Sequence, residues 1–316
     1  MKEIIKDIRG YKLCKIEFSS MDDFLDFIKS APKITQQNES VNGPYSFTKT
    51  HTLDEAIRLC EEGYFDKTFS IFKNVVLRAI STMVAVRKPF SVKNDILGFA
   101  PNVPYYLQGH PLNMYNDEYE KKLRPTKKIN IFYNSSMPWH MLPATIVKKG
   151  LIFLSIFELL KKLDYDVELK FTSLSEGNSE NYGLQIDVDI QRQGGYNINE
   201  LYFPLVHPSF LRRLIFACKE RCQFLKDKQE FFDGYGNTVN LRKFIDMDED
   251  SINIVSSDYD DVYKRKDIYE LFKYVIADLK MQGVLDEDAY NQIITNLEEI
   301  KDELLEFQKE LRTDIY

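Results

Sequence analysis

The chain has 316 residues, enough for one large domain or two smaller ones with a substantial core. Its hydrophobic and charged shares, 44% and 29%, are those of an ordinary globular protein and exclude a disordered or fibrous chain. The 42 basic and 49 acidic residues give a net charge of −7, which argues against a chain built wholesale for nucleic acid but leaves room for a local basic patch.

The N-terminus, Met1 to Lys6, lacks the uninterrupted apolar run of a secretory leader, and no transmembrane segment or lipidation motif is evident. Cys14, Cys60, Cys218 and Cys222 read as free thiols of a reduced compartment. Only the last two are close, and no His or Cys pair stands nearby to complete a zinc site. A cytoplasmic protein without membrane contact is expected.

Tyr11–Phe18 reads as a strand or short helix. A helix follows, with Ser20 as N-cap, Asp22 and Asp23 in the first turn, and Phe24, Leu25, Phe27 and Ile28 on its apolar face. Residues 31–50 are polar and turn-rich. Thr52 and Glu55 form a capping box for a helix that stops at Gly63. Phe65–Val86 carries apolar residues at helical spacing. Residues 87–125 are irregular and rich in Pro and Tyr, as a functional loop or an interdomain wrap is. The N-terminal third is expected to be a helical layer docked on an α/β core.

The rest of the chain is arranged around Lys127 to Phe171. Ile129–Tyr133 is a short apolar run suited to a buried strand. Asn134–Thr145 is a loop in which Pro138 and Pro143 delay the helix. Ile146–Leu163 is apolar on nearly every face and so reads as a buried helix. Val167–Phe171 alternates apolar and charged residues, as a half-exposed strand does. Strand, helix and strand make a βαβ unit with parallel strands.

Gly177–Gly183 reads as a loop or hairpin tip, Leu184–Ile190 as a strand with one wet face, and Gln193-Gly194-Gly195 as a turn. Leu201–Val206 reads as a further strand. His207-Pro208-Ser209 then opens a helix with Ser209 as N-cap, Phe210, Leu211, Leu214 and Ile215 inward, and Arg212, Arg213, Lys219 and Arg221 outward. Ile252–Val255 is a strand, Asp258–Asp261 an acidic loop and Ile268–Leu279 a helix. Residues 287–311 form a last amphipathic helix, either a partner helix or one packed back on the domain. The expected division is 1–125, mostly helical; 126–283, an α/β core with a mostly parallel sheet and flanking helices, von Willebrand A-like or Rossmann-like; and 284–316, a helical tail.

The loop after the first core strand lies where open α/β sheets place their sites. It offers Asn134, Ser135, Ser136, Trp139 and His140, either as a binding loop or as a packed turn whose serines cap it. Lys121, Lys122, Arg124, Lys127 and Lys128 could attract phosphate or merely solvate the entry to the strand. The carboxylates Asp246, Asp248, Glu249, Asp250, Asp258, Asp260 and Asp261 match no calcium-loop spacing. The four histidines, His51, His110, His140 and His207, are scattered. Walker, dinucleotide-binding, nucleophile-elbow and zinc-protease motifs are absent, so no catalytic residue, metal ligand or cofactor is assigned.

Several blocks in order carry a resemblance: Tyr106-Leu107-Gln108-Gly109-His110-Pro111 with Met114, then Ile129–Met137, Lys149-Gly150, Leu159–Leu169, and His207-Pro208 through Arg212-Arg213 to Phe216-Ala217. Over more than half of the chain they resemble a family of uncharacterised phage- and plasmid-encoded proteins, a domain of unknown function. That implies a phage or mobile-element source and no particular activity.

Ile129–Met137 is also distantly similar to von Willebrand factor A-like domains, whose first strand ends in an ion-binding Asp-x-Ser-x-Ser. Here Phe132 takes the aspartate position, Asn134 the middle one and Ser136 the last. The loss of the acid implies a degenerate loop that holds a protein instead of a metal. Two functions are thus expected in turn: a non-enzymatic assembly, adaptor or host-interaction factor with a viral or host protein partner, or a protein that binds or processes nucleic acid or nucleotides through the Asn134–His140 loop.

Overall fold

A computed structural model describes residues 1–8, 11–64, 66–77, 80, 91–97, 100–118, 128–138, 140–163, 165–177, 182–190, 197–228, 235–244, 247 and 250–313. Within them the chain is mixed α/β with a mostly parallel central sheet and flanking helices.

The sheet is built from β1 (Lys2–Ile8), β2 (Tyr11–Phe18), β6 (Ile129–Asn134), β7 (Val167–Glu176), β8 (Tyr182–Val188) and β10 (Ile252–Val255), in the order β1-β2-β8-β7-β6-β10. The pairs β2–β8, β7–β6 and β6–β10 are parallel; β1–β2 and β7–β8 are antiparallel. A short β9 (Asn237–Thr238) pairs antiparallel with the end of β7. The N-terminal segment therefore supplies a sheet hairpin as well as helices: α1 (Met21–Ser30), α2 (Glu39–Asn42), α3 (Tyr45–Thr48), α4 (Leu53–Glu62) and α5 (Lys67–Phe72), the last continuing as a π-helical turn over Lys73–Leu77. Phe65 and residues 78–79 and 81–86 of the expected long helix lie outside the described residues.

Local signals hold where the backbone alone decides. The Ser20 side chain accepts from Asp23 N–H, and Thr52 from Glu55 N–H at 3.0 Å. The Glu55 carboxylate reaches back to His51 N–H, closing the box one residue early. Gly63 takes φ 84°, a conformation that terminates α4 at little cost for glycine.

The central βαβ unit is as expected: β6 and β7 pair in parallel with Ile129 opposite Val167. The connecting α7 (Pro143–Lys162) starts earlier than the prolines suggested, because Pro143 sits in its first turn, where a missing N–H costs nothing. It is buried over most of its length, packed on β7 and on α8 (Ile198–Val206). That second helix replaces the expected strand over Leu201–Val206. A short apolar run fits either form, and here Asn197 caps a helix that Pro204 does not break. A Cβ on Gly150 would stand 2.1 Å from the Leu205 carbonyl oxygen, so α7 and α8 touch backbone to backbone.

Other expectations fail for tertiary reasons. Residues 87–125 contain a three-stranded antiparallel flap of β3 (Ser91–Asp95), β5 (Met114–Glu118) and β4 (Ala100–Pro101), with α6 (Val103–Leu107) between β4 and β5. Ser209 is not an N-cap: it has helical dihedrals, and its hydroxyl turns to His207. Phe210–Ile215 is a π-helical segment leading into α9 (Phe216–Glu220). Arg212, Arg213 and Lys219 point inward and are fully buried. The Asp258–Asp261 stretch is helical, a 3-10 turn passing into α10 (Asp260–Arg265).

After α11 (Ile268–Met281), the tail is two helices, α12 (Glu287–Glu299) and α13 (Lys301–Thr313), parted at Ile300. Its stripe, including Ile293, Leu297, Leu304, Phe307 and Leu311, is buried in the main core, so it packs back on the body. Among the described residues no helix is long and apolar enough to cross a membrane.

Candidate functional site

The end of β6 is braced internally. Asn134 is fully buried; its Oδ1 accepts from Ser136 N–H (3.0 Å) and Leu174 N–H (3.2 Å), and its own N–H donates to Ser256 Oγ (2.7 Å). Ser136 Oγ pairs with Ser173 Oγ at 2.9 Å, and Ser135 N–H donates to the Thr172 carbonyl at 2.8 Å. Phe132 packs in a small second core with Leu13, Leu174, Val239, Leu241 and Val255. The structure thus gathers Asn134, Ser135 and Ser136, while His140 stands exposed at the next turn. Trp139 lies outside the described residues, as do Lys121, Lys122, Arg124 and Lys127 of the basic set; Lys128 is paired with Glu168 at 2.5 Å. Of the acidic residues, Asp246, Asp248 and Glu249 lie outside too. Asp258 pairs with Arg242 at 2.7 Å, and Asp260 with the buried Lys149 at 3.0 Å. Among the described residues no three His, Cys, Asp or Glu side chains gather as metal ligands.

The most heavily built polar cluster was not legible in the sequence. Arg213 donates to the carbonyls of Ser40, Val41, Gly43 and Thr50 and to the hydroxyls of Thr48 and Thr50, at 2.7–3.1 Å. Arg212 stacks on the Phe47 ring at 3.7 Å and donates to the Phe47 and Met141 carbonyls. Glu220 accepts from Ser40 N–H and Oγ and from the Tyr235 hydroxyl. Lys219 donates to Ser175 Oγ (2.8 Å) and the Tyr235 carbonyl (2.9 Å), and burial pulls its pKa down to about 7. One helix therefore fastens the loop of residues 38–50 to the body. Four charged residues in an apolar helix read as a wet face, and only their distant partners reverse that.

That loop forms one wall of a cavity of about 210 Å³, whose lining includes Tyr45, Lys49, Tyr64, Asp66, Tyr202 and His207. Lys49 holds a left-handed φ of 63°, a strained backbone for a non-glycine residue that the Arg212–Arg213 fastening maintains. Asp66 Oδ1 accepts from Phe69 N–H (2.6 Å) and the Tyr202 hydroxyl (3.2 Å). Burial pushes the Tyr64 and Tyr202 hydroxyls up, so both stay protonated. His207 Nδ1 accepts from Ser209 N–H at 3.2 Å and lies 2.6 Å from Ser209 Oγ, which assigns the ring proton to Nε2. Burial lowers the His207 pKa to about 3, so the ring is neutral. Ser209 is itself wholly buried and acts as a brace for the ring.

A larger trough of about 630 Å³ lies on the sheet face opposite the main core, beside the small cluster in which Leu13, Phe132, Leu174 and Val255 pack with Val239 and Leu241. The alternation in β2, β7 and β8 lines it with Lys15, Glu17, Lys170, Glu168 and Asp187. Lys15 bridges Glu17 (2.6 Å) and Asp187 (3.0 Å). The Thr172 hydroxyl, also on its lining, is buried and has no hydrogen-bond partner among the described residues.

The flap carries a different surface. Val103, Tyr106 and Leu107 share one face of α6 and are exposed, Leu107 at 78%. Ile96 and Leu97, in the turn after β3, and Leu112, before β5, are exposed as well.

One family model, Domain of unknown function (DUF7192), matches residues 2–283. No curated protein and no solved structure matches the chain.

Proposed function

The chain belongs to the DUF7192 family, and we propose that this member works by binding a protein partner through the apolar surface of its flap. The exposed side chains of Ile96, Leu97, Val103, Tyr106, Leu107 and Leu112 carry the reading. Exposed aliphatic and aromatic side chains gathered on α6 and the neighbouring turns of one small flap are what a partner's apolar face can cover. The net charge of −7 favours a protein over a nucleic acid as that partner. On the ordered sequence blocks the proposal extends to source and setting: a phage or mobile element, with an assembly, adaptor or host-interaction role in the host cytoplasm.

The test is capture from infected or host cells with the full chain, side by side with Leu107→Asp and Tyr106→Asp. Both side chains are exposed, so the variants should melt with the wild type. The expected result is a protein retained by the wild type and recovered at least tenfold less by the variants. Equal recovery by the variants would overturn the reading. So would recovery of nucleic acid alone with a steep salt dependence, which would favour the nucleic-acid alternative.

A further inference from the structure

We propose that Cys14 and Cys222 form a redox-sensitive clamp: peroxide links the two thiols in a disulfide that ties β2 to the end of α9, and a small-molecule thiol releases it. This inference stands apart from the flap. Its first support is position. Both side chains are buried, at 0% and 1% exposure, and their sulfurs share a hydrogen bond between the sheet and the turn after α9. Cys14 lies on the second strand from the sheet edge, opposite Ile5 of β1. Ile5 is 61% exposed, and Glu3, on the same face of β1, is exposed as well. On that side the cover of Cys14 is an exposed edge strand, whose local opening admits a molecule as small as peroxide.

The second support is the arrangement of donors and acceptors. Cys222 opens the 3-10 turn Gln223–Leu225, and its sulfur accepts from Cys14 S–H and from the Phe224 and Leu225 N–H groups. These hydrogen bonds favour its thiolate and lower its pKa against the opposing effect of burial. Cys14 Sγ stands 3.6 Å from Glu3 Oε1, so its proton has a carboxylate in reach as well as the Cys222 sulfur. The Cys222 sulfur beside it, and then burial, push the Cys14 thiol up. Cys222 is therefore the nucleophile and Cys14 the resolving thiol. The Cys222 sulfur attacks one peroxide oxygen; the O–O bond breaks, Cys222 becomes a sulfenic acid, and the other oxygen leaves with the thiol proton as water. The Cys14 sulfur then attacks the sulfenic sulfur. Its proton passes through Glu3 to the departing hydroxide, which leaves as a second water. The two thiols lose two electrons and peroxide gains them. Glu220, which accepts from Ser40, stands two residues before Cys222, so the bond braces the helix end that fastens the 38–50 loop.

The experiment treats the full chain with hydrogen peroxide under native conditions, blocks the remaining thiols in denaturant and maps the peptides without reduction. The expected result is a fall from four free thiols to two, with Cys14 and Cys222 in one linked peptide and full reversal by dithiothreitol. The linked chain should unfold at a higher urea midpoint than the reduced chain. Glu3→Gln should form the bond about tenfold more slowly at the same peroxide concentration. Glu3 is exposed, so this variant should fold as the wild type does. Recovery of Cys14 and Cys222 as free thiols after the half-buried Cys60 has been oxidised overturns the proposal. So does a Cys218–Cys222 link, or a Cys14–Cys222 bond that forms only in denaturant. An unchanged urea midpoint overturns the clamp, and an unchanged rate in Glu3→Gln overturns the part given to Glu3.

Discussion

Replacing Arg213 by methionine tests whether one buried guanidinium holds the 38–50 loop in place. The side chain donates to four carbonyls and two hydroxyls of that loop. Without it the hydroxyls can rotate, and the Thr50 carbonyl keeps the Thr48 hydroxyl as donor at 2.8 Å. The Ser40, Val41 and Gly43 carbonyls lose the donor that Arg213 gave them. A buried carbonyl left unpaired costs about 1–3 kcal/mol. Against this, methionine removes a buried cation that has carbonyls for partners, which offsets part of the loss. The net expectation is about 3–5 kcal/mol, the usual cost of breaking a buried charged contact by removing one side. For a chain of this size that is a fall of roughly 5–8 °C in melting temperature. The assay is thermal and urea unfolding together with hydrogen exchange at residues 38–50, which should lose protection ahead of the sheet. Arg213→Lys should recover less than half of the loss, since one ammonium cannot span the same acceptors. A melting temperature within about 1 °C of wild type, with unchanged exchange in the loop, would refute the reasoning.

Two further perturbations address the core and the cavity ring. Gly150→Ala places a methyl against the Leu205 carbonyl oxygen at 2.1 Å, so α7 and α8 must separate. Overpacking of this kind costs about 1–3 kcal/mol, read as a lower urea midpoint; an unchanged midpoint would mean the helices are looser than they stand. His207 titrates near 6.5 when unfolded but is held down to about 3 by burial when folded. The unfolded state thus takes up the extra proton first, and stability falls as pH drops from about 6.5 towards 3, by up to about 1.4 kcal/mol per pH unit. His207→Gln should show a shallower acid limb in a stability-against-pH series, and equal slopes would show that His207 is not buried as described.

The division between what local sequence settles and what it leaves open follows element by element. Ser20, Thr52 and Gly63 could be read because a cap depends on a few adjacent residues. The β6–α7–β7 unit could be read because a hydrophobic period and its flanking turns are carried within the segment. Leu201–Val206 could not, since a short run apolar on every face has no period to separate strand from helix, and packing on Gly150 decided it. The flap within residues 87–125 was hidden because its strands are short and pair across an intervening helix. At the candidate sites the gap is wider. Asn134, Ser135 and Ser136 were found by position, but their partners at Thr172, Ser173, Leu174 and Ser256 come from other elements. Tyr106 and Leu107 were noted as a block, while their exposure depends on where the flap stands.

By itself the sequence determined an α/β chain with a buried central helix, the helix ends at Ser20, Thr52 and Gly63, and the alternation that gives β7 and β8 two unlike faces. Only the tertiary structure decided which charges are buried and where a cavity opens. Arg212, Arg213, Lys219 and Glu220 look like a solvated face beside their neighbours in sequence. Their acceptors and donors lie at residues 40–50, 141, 175 and 235. Charge burial is set by the free energy of those distant hydrogen bonds, and no local period encodes it.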